Sequence, residues 1–265
     1  MISFAIASLL AATPPAPQTA YPADREHPAM WMVRDDDTII YLFGTFHALD
    51  GRTPWFEGMI RNAFASSDEL VLETVIPDFA APAPAPKPFK SYSSPAINAG
   101  GSFLASTRMA LNAGKGQGMN FDLGADAILK REAAQGGKPV VGLESFQGQL
   151  AMLTQVPSAP VRSATRRQGA QVMGQLATAM AQLQQGWKRG DSEVFAGMLD
   201  DMRSSSPDAY RMMFVRRNAQ WAQWISHRLD QPGTVFVAVG AGHLSGSDSV
   251  QNKLAMLGVR PARIY

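Results

Sequence analysis

The sequence predicts an α/β fold: a central mixed, partly parallel sheet flanked by helices, with a helical middle section and a Pro-rich insertion. Three observations carry this. Apolar, β-rich runs stand at both ends of the chain, near residues 31–43, 69–75 and 233–239. A segment with helical spacing separates the first runs from the third, the pattern of strand–helix–strand crossovers and parallel pairing. Between about 146 and 229 the apolar residues recur at helical intervals, without a strand-like run.

Each element follows from local pattern. Trp31–Arg34 and Thr38–Phe43 flank Asp35, Asp36 and Asp37, which reads as a β-hairpin with an acidic turn. Residues 54–66 place Trp55, Met59, Ile60 and Phe64 at helical core spacing. Ser67 and Asp68 then punctuate, and Glu69–Val75 reads as a strand. Residues 77–118 break the pattern and read as an insertion or lid, with an extended Pro82–Pro88 tract and some helix near 102–112. Asp126–Ala133 is a helix closed by Gly136 and Gly137, and Lys138–Glu144 a short strand ending in a carboxylate. Helices are expected at 146–154, 161–188, 191–203 and 207–229. A strand at 233–239, a helix near 248–257 and a strand at 260–264 close the chain.

Composition bounds the function. The chain has 265 residues, is 46% hydrophobic and 17% charged, and carries a net charge of +2. It is long enough for a real core and too apolar for disorder. Lys and Arg are scattered and form no basic, aromatic-interleaved patch, so no nucleic-acid partner is expected. There is no cysteine, which excludes disulfides, thiolate catalysis and Cys-type zinc sites. The apolar run Met1–Ala12, followed by Pro-rich residues to Ala20, resembles the back of a secretory signal peptide; a disordered N-terminus is the alternative. The run is too short to span a bilayer, and no other segment is long and apolar enough. A single α/β domain over 21–265, exported to the periplasm or secreted, is the expectation.

Two segments echo each other. Thr38–His47 and Thr234–His243 each run through an apolar strand into Gly-x-x-His, with the same spacing from Thr to His. Two of the four histidines occupy this motif. Active sites of open α/β sheets lie beyond the carboxyl ends of strands. His47, Glu73, Glu144 and His243 all fall at such ends. Two imidazoles and carboxylates are a ligand set for a divalent metal, which activates water; a free carboxylate could then act as general base. Each residue also has a plainer reading. Glu73 could cap the loop after it, and Glu144 the helix that begins at Ser145. His227, on a helix, and His27, before Pro28, read as structural. Trp31, Trp55, Trp221 and Trp224 read as packing aromatics. Arg216, Arg217 and Asn218 precede the second motif. An arginine there could hold a substrate carboxylate or an oxyanion, and adjacent positions on a helix diverge, so only one arginine should reach the site.

Trp31–Asp50, Glu69–Glu73, Asp126 with Leu129 and Ala133, Gly137–Ser145, Arg217-Asn218 and Val237–Leu244 together resemble the TraB/PrgY/GumN family, which includes the Tiki metal-dependent proteases and is similar to the erythromycin-esterase and ChaN-like group. The resemblance covers about 27–265 apart from the Pro-rich insertion, for which it offers no counterpart. It implies an α/β fold, His47 and His243 as paired site histidines and metal ligands, and Glu73 as their principal acidic partner. Glu144, Asp126, Arg217 and Asn218 match further motif positions, with Asp126 either capping its helix or orienting the neighbouring strand end. Glycine at 242 is a departure that would loosen the backbone before His243. The function implied is a hydrolase using manganese, cobalt or zinc on a peptide or protein substrate. Two alternatives stay open: metal-free hydrolysis with His47 as base, Glu73 as its partner and Arg217 as electrophile, or binding of a peptide or pheromone-like ligand without turnover. The sequence does not set an oligomeric state.

Overall fold

A computed structural model describes residues 27–52, 54–75, 112–156 and 166–265. The Met1–Ala20 segment, the Pro-rich tract, nearly all of the helix expected at 102–112, and residues 161–165 lie outside them.

Six strands form one mixed sheet in the order β4-β3-β5-β2-β1-β6. They are β1 (Met30–Arg34), β2 (Thr38–Thr45), β3 (Glu69–Thr74), β4 (Val140–Glu144), β5 (Gly233–Gly240) and β6 (Ala262–Arg263). β1 and β2 form the expected hairpin, with Asp35 Oδ1 accepting from the amides of Asp37 and Thr38 to close the acidic turn. β2, β5, β3 and β4 are mutually parallel. The α1 crossover (Gly58–Ser66) therefore joins two parallel strands, as expected, but β5 from the far end of the chain inserts between them. Helix α1 starts at Gly58 and not at residue 54, because Gly58 takes a left-handed φ of 54° that a continuous helix lacks. The last strand is only two residues long, pairing Ala262 and Arg263 with Met32 and Trp31.

The remaining helices are α2 (Ala125–Gln135), α3 (Phe146–Gln155), α4 (Arg166–Lys188), α5 (Ser192–Ser205), α6 (Pro207–Tyr210), α7 (Arg216–Arg228) and α8 (Val250–Met256). A π-helical turn, Arg211–Val215, joins α6 to α7. Gly137, with φ 63°, turns the chain from α2 into β4.

Both faces of the central strands β2, β5 and β3 are covered, so these alternate between two cores and not between core and water. Phe43, Leu70, Leu72, Phe236 and Ala238 pack with α1, α2 and α4. Ile40, Leu42, Val71, Val235, Val237 and Val239 pack with α7 and α8. In the first core Trp55 stacks on Phe43 at 5.5 Å and meets Trp187 edge-on at 5.6 Å. The Trp187 indole N–H donates to the Gly44 carbonyl at 2.7 Å, a polar bond inside an aromatic cluster that pins the end of β2.

Replacing Trp187 by Phe keeps most of the packing and orphans that buried carbonyl. The expected loss is about 1–3 kcal/mol, from the cost of an unmet buried acceptor. It should appear in denaturant unfolding as a lower midpoint with an unchanged slope.

Candidate active site

The parallel strands end together. Thr45 of β2 is in register with Gly240 of β5, and Thr74 of β3 with Glu144 of β4. His47, Glu73, Glu144 and His243 therefore reach one edge of the sheet, the carboxyl edge where α/β proteins build their sites. Helix α7 overhangs it. Its buried face carries Trp221 and Ile225 against the sheet, and Arg217 lies one turn earlier on the same row. Arg217 and Asn218 are buried, while Arg216 faces solvent.

Arg217 is the centre of the site. Its Nε donates to Glu144 Oε1 at 2.7 Å, Nη2 to Glu73 Oε2 at 2.8 Å, and Nη1 to His243 Nε2 at 3.1 Å and to the Met213 carbonyl at 3.3 Å. Four of the five N–H groups a guanidinium offers have acceptors among the described residues. The guanidinium also lies over the Trp221 ring at 4.6 Å, and the Trp221 indole N–H donates to Glu144 Oε1 at 3.0 Å. Two carboxylates surround one cation, so the arginine holds protein carboxylates more than it presents charge to a substrate.

His243 is fixed from both ring nitrogens. Asn218 Nδ2 donates to the Asp248 carbonyl at 2.7 Å, which turns its Oδ1 toward His243 Nδ1 at 2.5 Å. That oxygen accepts the Nδ1 proton, so Nε2 keeps its lone pair for Arg217. Burial disfavours a charged ring here, and Arg217 and His47 oppose protonation further; although Glu73 pulls the other way, His243 stays neutral.

Glu73 Oε1 accepts from the Gly240 amide at 2.7 Å and lies 3.7 Å from His243 Nε2. Burial alone would push this carboxyl up, but His243 once acid protonates it, Arg217, His47 and the Gly240 amide hold it far below the ordinary 4.5, to about 2. Gly240 marks where the halves meet. A side chain there would begin 3.1 Å from Glu73 Oε1, 3.7 Å from His243 Cδ2 and 3.8 Å from His47 Nε2. The glycine of the motif thus leaves room for three side chains around one point. Gly242 has a different reason from the loosened backbone the sequence suggested: its turn is tight and ordinary, and a side chain would press on the Phe214 ring at 3.3 Å.

His47 forms the open half. Its Nδ1 lies 3.1 Å from Asp126 Oδ1, with the two side chains 58% and 37% exposed. Asp126 therefore orients His47; Gly124, and not Asp126, stands at the cap position of α2. The Ala125 amide donates to the Phe46 carbonyl at 3.0 Å, and any side chain on Gly124 would overlap the His47 carbonyl oxygen. This close approach holds the His47 loop against α2. Desolvation in the cleft lowers the basicity of His47, but the Asp126 hydrogen bond and the charges of Asp126 and Glu73 outweigh it and raise the ring above the ordinary 6.5. Solvent over the exposed ring screens those charges.

The structure brings His47, Glu73, Glu144, Arg217, Asn218 and His243 to one edge, with Asp126 joined through His47. Glu144 does not cap the helix after it: Ser145 caps α3 itself, accepting from the Gly148 amide; the loop after Glu73 lies outside the described residues. His227 is exposed near the far end of α7, and the His27 ring meets Tyr265 at 4.5 Å in a tilted contact at the outer side of the sheet. Trp221 is more than packing, since it carries both Arg217 and Glu144. The i, i+4 spacing of Arg217 and Trp221 was its only sequence signal. Gly124 and the π turn carrying Met213 left no such signal.

A divalent ion shared by His47, His243 and Glu73 requires a lone pair from each. The Nε2 lone pair of His243 is occupied by Arg217, and its Nδ1 carries the proton given to Asn218. Among the described residues no group of three or more His, Asp or Glu is placed to hold a metal. The donor set as arranged does not fit that ion.

These features define a two-faced α/β protein with an arginine-centred, paired-histidine site at the carboxyl edge of its sheet. The chain belongs to the TraB/PrgY/gumN family, whose model matches residues 29–90 and 97–263. The match runs through Pro82–Pro88 and breaks only at 91–96, so the proline tract has the family counterpart that the sequence reading denied it. No curated protein and no solved structure matches the chain. Among the described residues no helix is long and apolar enough to cross a membrane.

Arg217→Met strands Glu73 and Glu144 in a buried setting and should lower stability by about 3–5 kcal/mol, the cost of breaking a buried ion pair on one side. Arg217→Lys keeps the charge but cannot meet four acceptors at once, so its loss should fall between wild type and Arg217→Met in denaturant unfolding. Glu73 also sets an acid limb. Its folded value is depressed, so the stability it contributes is complete above 4.5 and is lost as pH falls toward about 2. Glu73→Gln should flatten the fall in unfolding free energy over that range.

Proposed function

We propose that the protein is a metal-independent hydrolase of acyl bonds, with peptide amides as its first candidate substrates. One observation carries this reading: the Asp126–His47 pair, with its Nε2 turned toward the point shared by Glu73 and Gly240. A carboxylate on one ring nitrogen fixes the tautomer and strengthens the other as a base. In the proposed reaction a water beside His47 Nε2 gives its proton to the ring as its oxygen attacks the carbonyl carbon. The imidazolium so formed opposes the developing oxyanion and then returns the proton to the leaving group. Glu73 orients the water and favours the charged ring. Arg217, held by Glu73, Glu144 and His243, keeps these groups in place. We include export in the proposal, supported by the apolar Met1–Ala12 run; fractionation of cells expressing the tagged full-length chain checks it, and recovery only in the cytosol would overturn it.

The test is turnover of a mixed peptide library, read by mass spectrometry of new termini, with p-nitrophenyl acetate as a surrogate ester. Activity should survive strong chelators and fall by about 10²–10⁴ in His47→Ala, the range for loss of a general base. Loss in chelator with recovery on adding manganese, cobalt or zinc would overturn the metal-free reading. Peptides that co-purify with the protein yet remain intact after long incubation would establish a binding protein instead.

The pH profile is a separate check. His47 acts as a base only when neutral, and its folded value is raised, so the rate should climb with pH through a value above 6.5. Asp126→Asn removes the charge that raises it. The limb should then move down toward 6.5 and the plateau should fall. A limb that stays in place would show that Asp126 does not act on His47.

A further inference from the structure

Beside the open half of the site lies a cavity of about 360 Å³, at the lower end of ligand pockets, which run roughly 300–1,000 Å³. Leu49, two residues after His47, and Ile128, two residues after Asp126, both line it. Consecutive Cα atoms are about 3.8 Å apart, so the Cα atoms of these two lining residues lie within about 8 Å of those of His47 and Asp126. That is the reach of a side chain one residue from a bond held at His47.

Its lining is aromatic and uncharged in sum. Trp55 and Trp187 are buried against each other and Phe43 and form the floor, while Phe56, packed on Trp55 at 5.4 Å, is the half-buried ring of the wall. At one end Lys188 Nζ lies 3.2 Å from both oxygens of Asp50, and the two side chains are only 5% and 13% exposed. The pair neutralises itself and leaves neither charge for a ligand. Glu57 and Arg61 add one charge of each sign to the lining. A charged side chain entering here would exchange water for a largely apolar wall.

Building on the hydrolase reading, we propose that this cavity is a specificity pocket for a large, uncharged, preferably aromatic side chain next to the bond being cleaved. Phe56 provides the accessible ring, with Leu123 and Ile128 as half-buried apolar wall. The Asp50–Lys188 pair closes one end and offers a ligand no free charge.

The probes are N-acetyl-L-tryptophanamide, N-acetyl-L-alaninamide and N-acetyl-L-lysinamide, followed by ligand-observed NMR on the full chain. The tryptophan amide should bind at least about tenfold more tightly than the other two, the discrimination a hydrophobic pocket supplies. His47→Ala should bind it as well as wild type does, so the pocket is read independently of turnover. Leu123→Trp and Ile128→Trp, both at half-buried wall positions, should each weaken binding at least about tenfold by filling the cavity while the protein melts as wild type. In the library, cleavage should cluster beside Trp, Tyr and Phe. Equal binding of the three amides, or binding that survives both filling variants, would overturn the pocket. Selective binding with no cleavage would leave the pocket standing and remove the hydrolase reading alone.

Discussion

The site depends on one buried guanidinium. Glu73 and Glu144 sit at the ends of neighbouring parallel strands, where two carboxylates would repel each other in a low-dielectric setting. Arg217 lies between them, gives one N–H to each and a third to His243, and so ties β3, β4 and the turn after β5 to helix α7. Trp221 supports it from below, with its ring under the cation and its N–H on Glu144. Each partner is needed by the others. The arginine would be unpaired without the glutamates, and the glutamates could not remain buried without the arginine.

This locking divides the site into two unlike halves. On the α7 side every polar atom of His243 has a partner, and the ring serves as an acceptor that steadies the arginine. On the α2 side His47 is exposed, joined to one carboxylate, and able to exchange protons with a ligand. The two histidines that look equivalent in sequence therefore have opposite electrostatics, one held neutral by burial and the other favoured as a cation by Asp126 and Glu73. Gly240 keeps the halves close enough to act on one ligand, because any side chain there would fill the space between them.

Much of this was legible before the coordinates. The hairpin, the crossover helix and the strand-final polar residues follow from period and punctuation, since strands with two covered faces read as continuous apolar runs. The prediction that only one of the adjacent arginines turns inward follows from helix geometry alone. Other features depend on contacts between distant segments. The insertion of β5 between β2 and β3 joins residues nearly 200 positions apart, and no local pattern encodes it. The pairing of Asp126 with His47 needs the Gly124 backbone to touch the His47 carbonyl, a contact with no signature beyond a single glycine.

By itself the sequence determined the fold class, the two Gly-x-x-His strand ends and the set of residues from which the site is built. These rest on local physics: hydrophobic period sets the elements, and glycine followed by histidine at a strand end sets where imidazoles emerge. Only the tertiary structure decided what each residue does. Proton positions, charge states and access are properties of neighbours in space, so the same two motifs became a locked acceptor at His243 and an open, carboxylate-backed ring at His47.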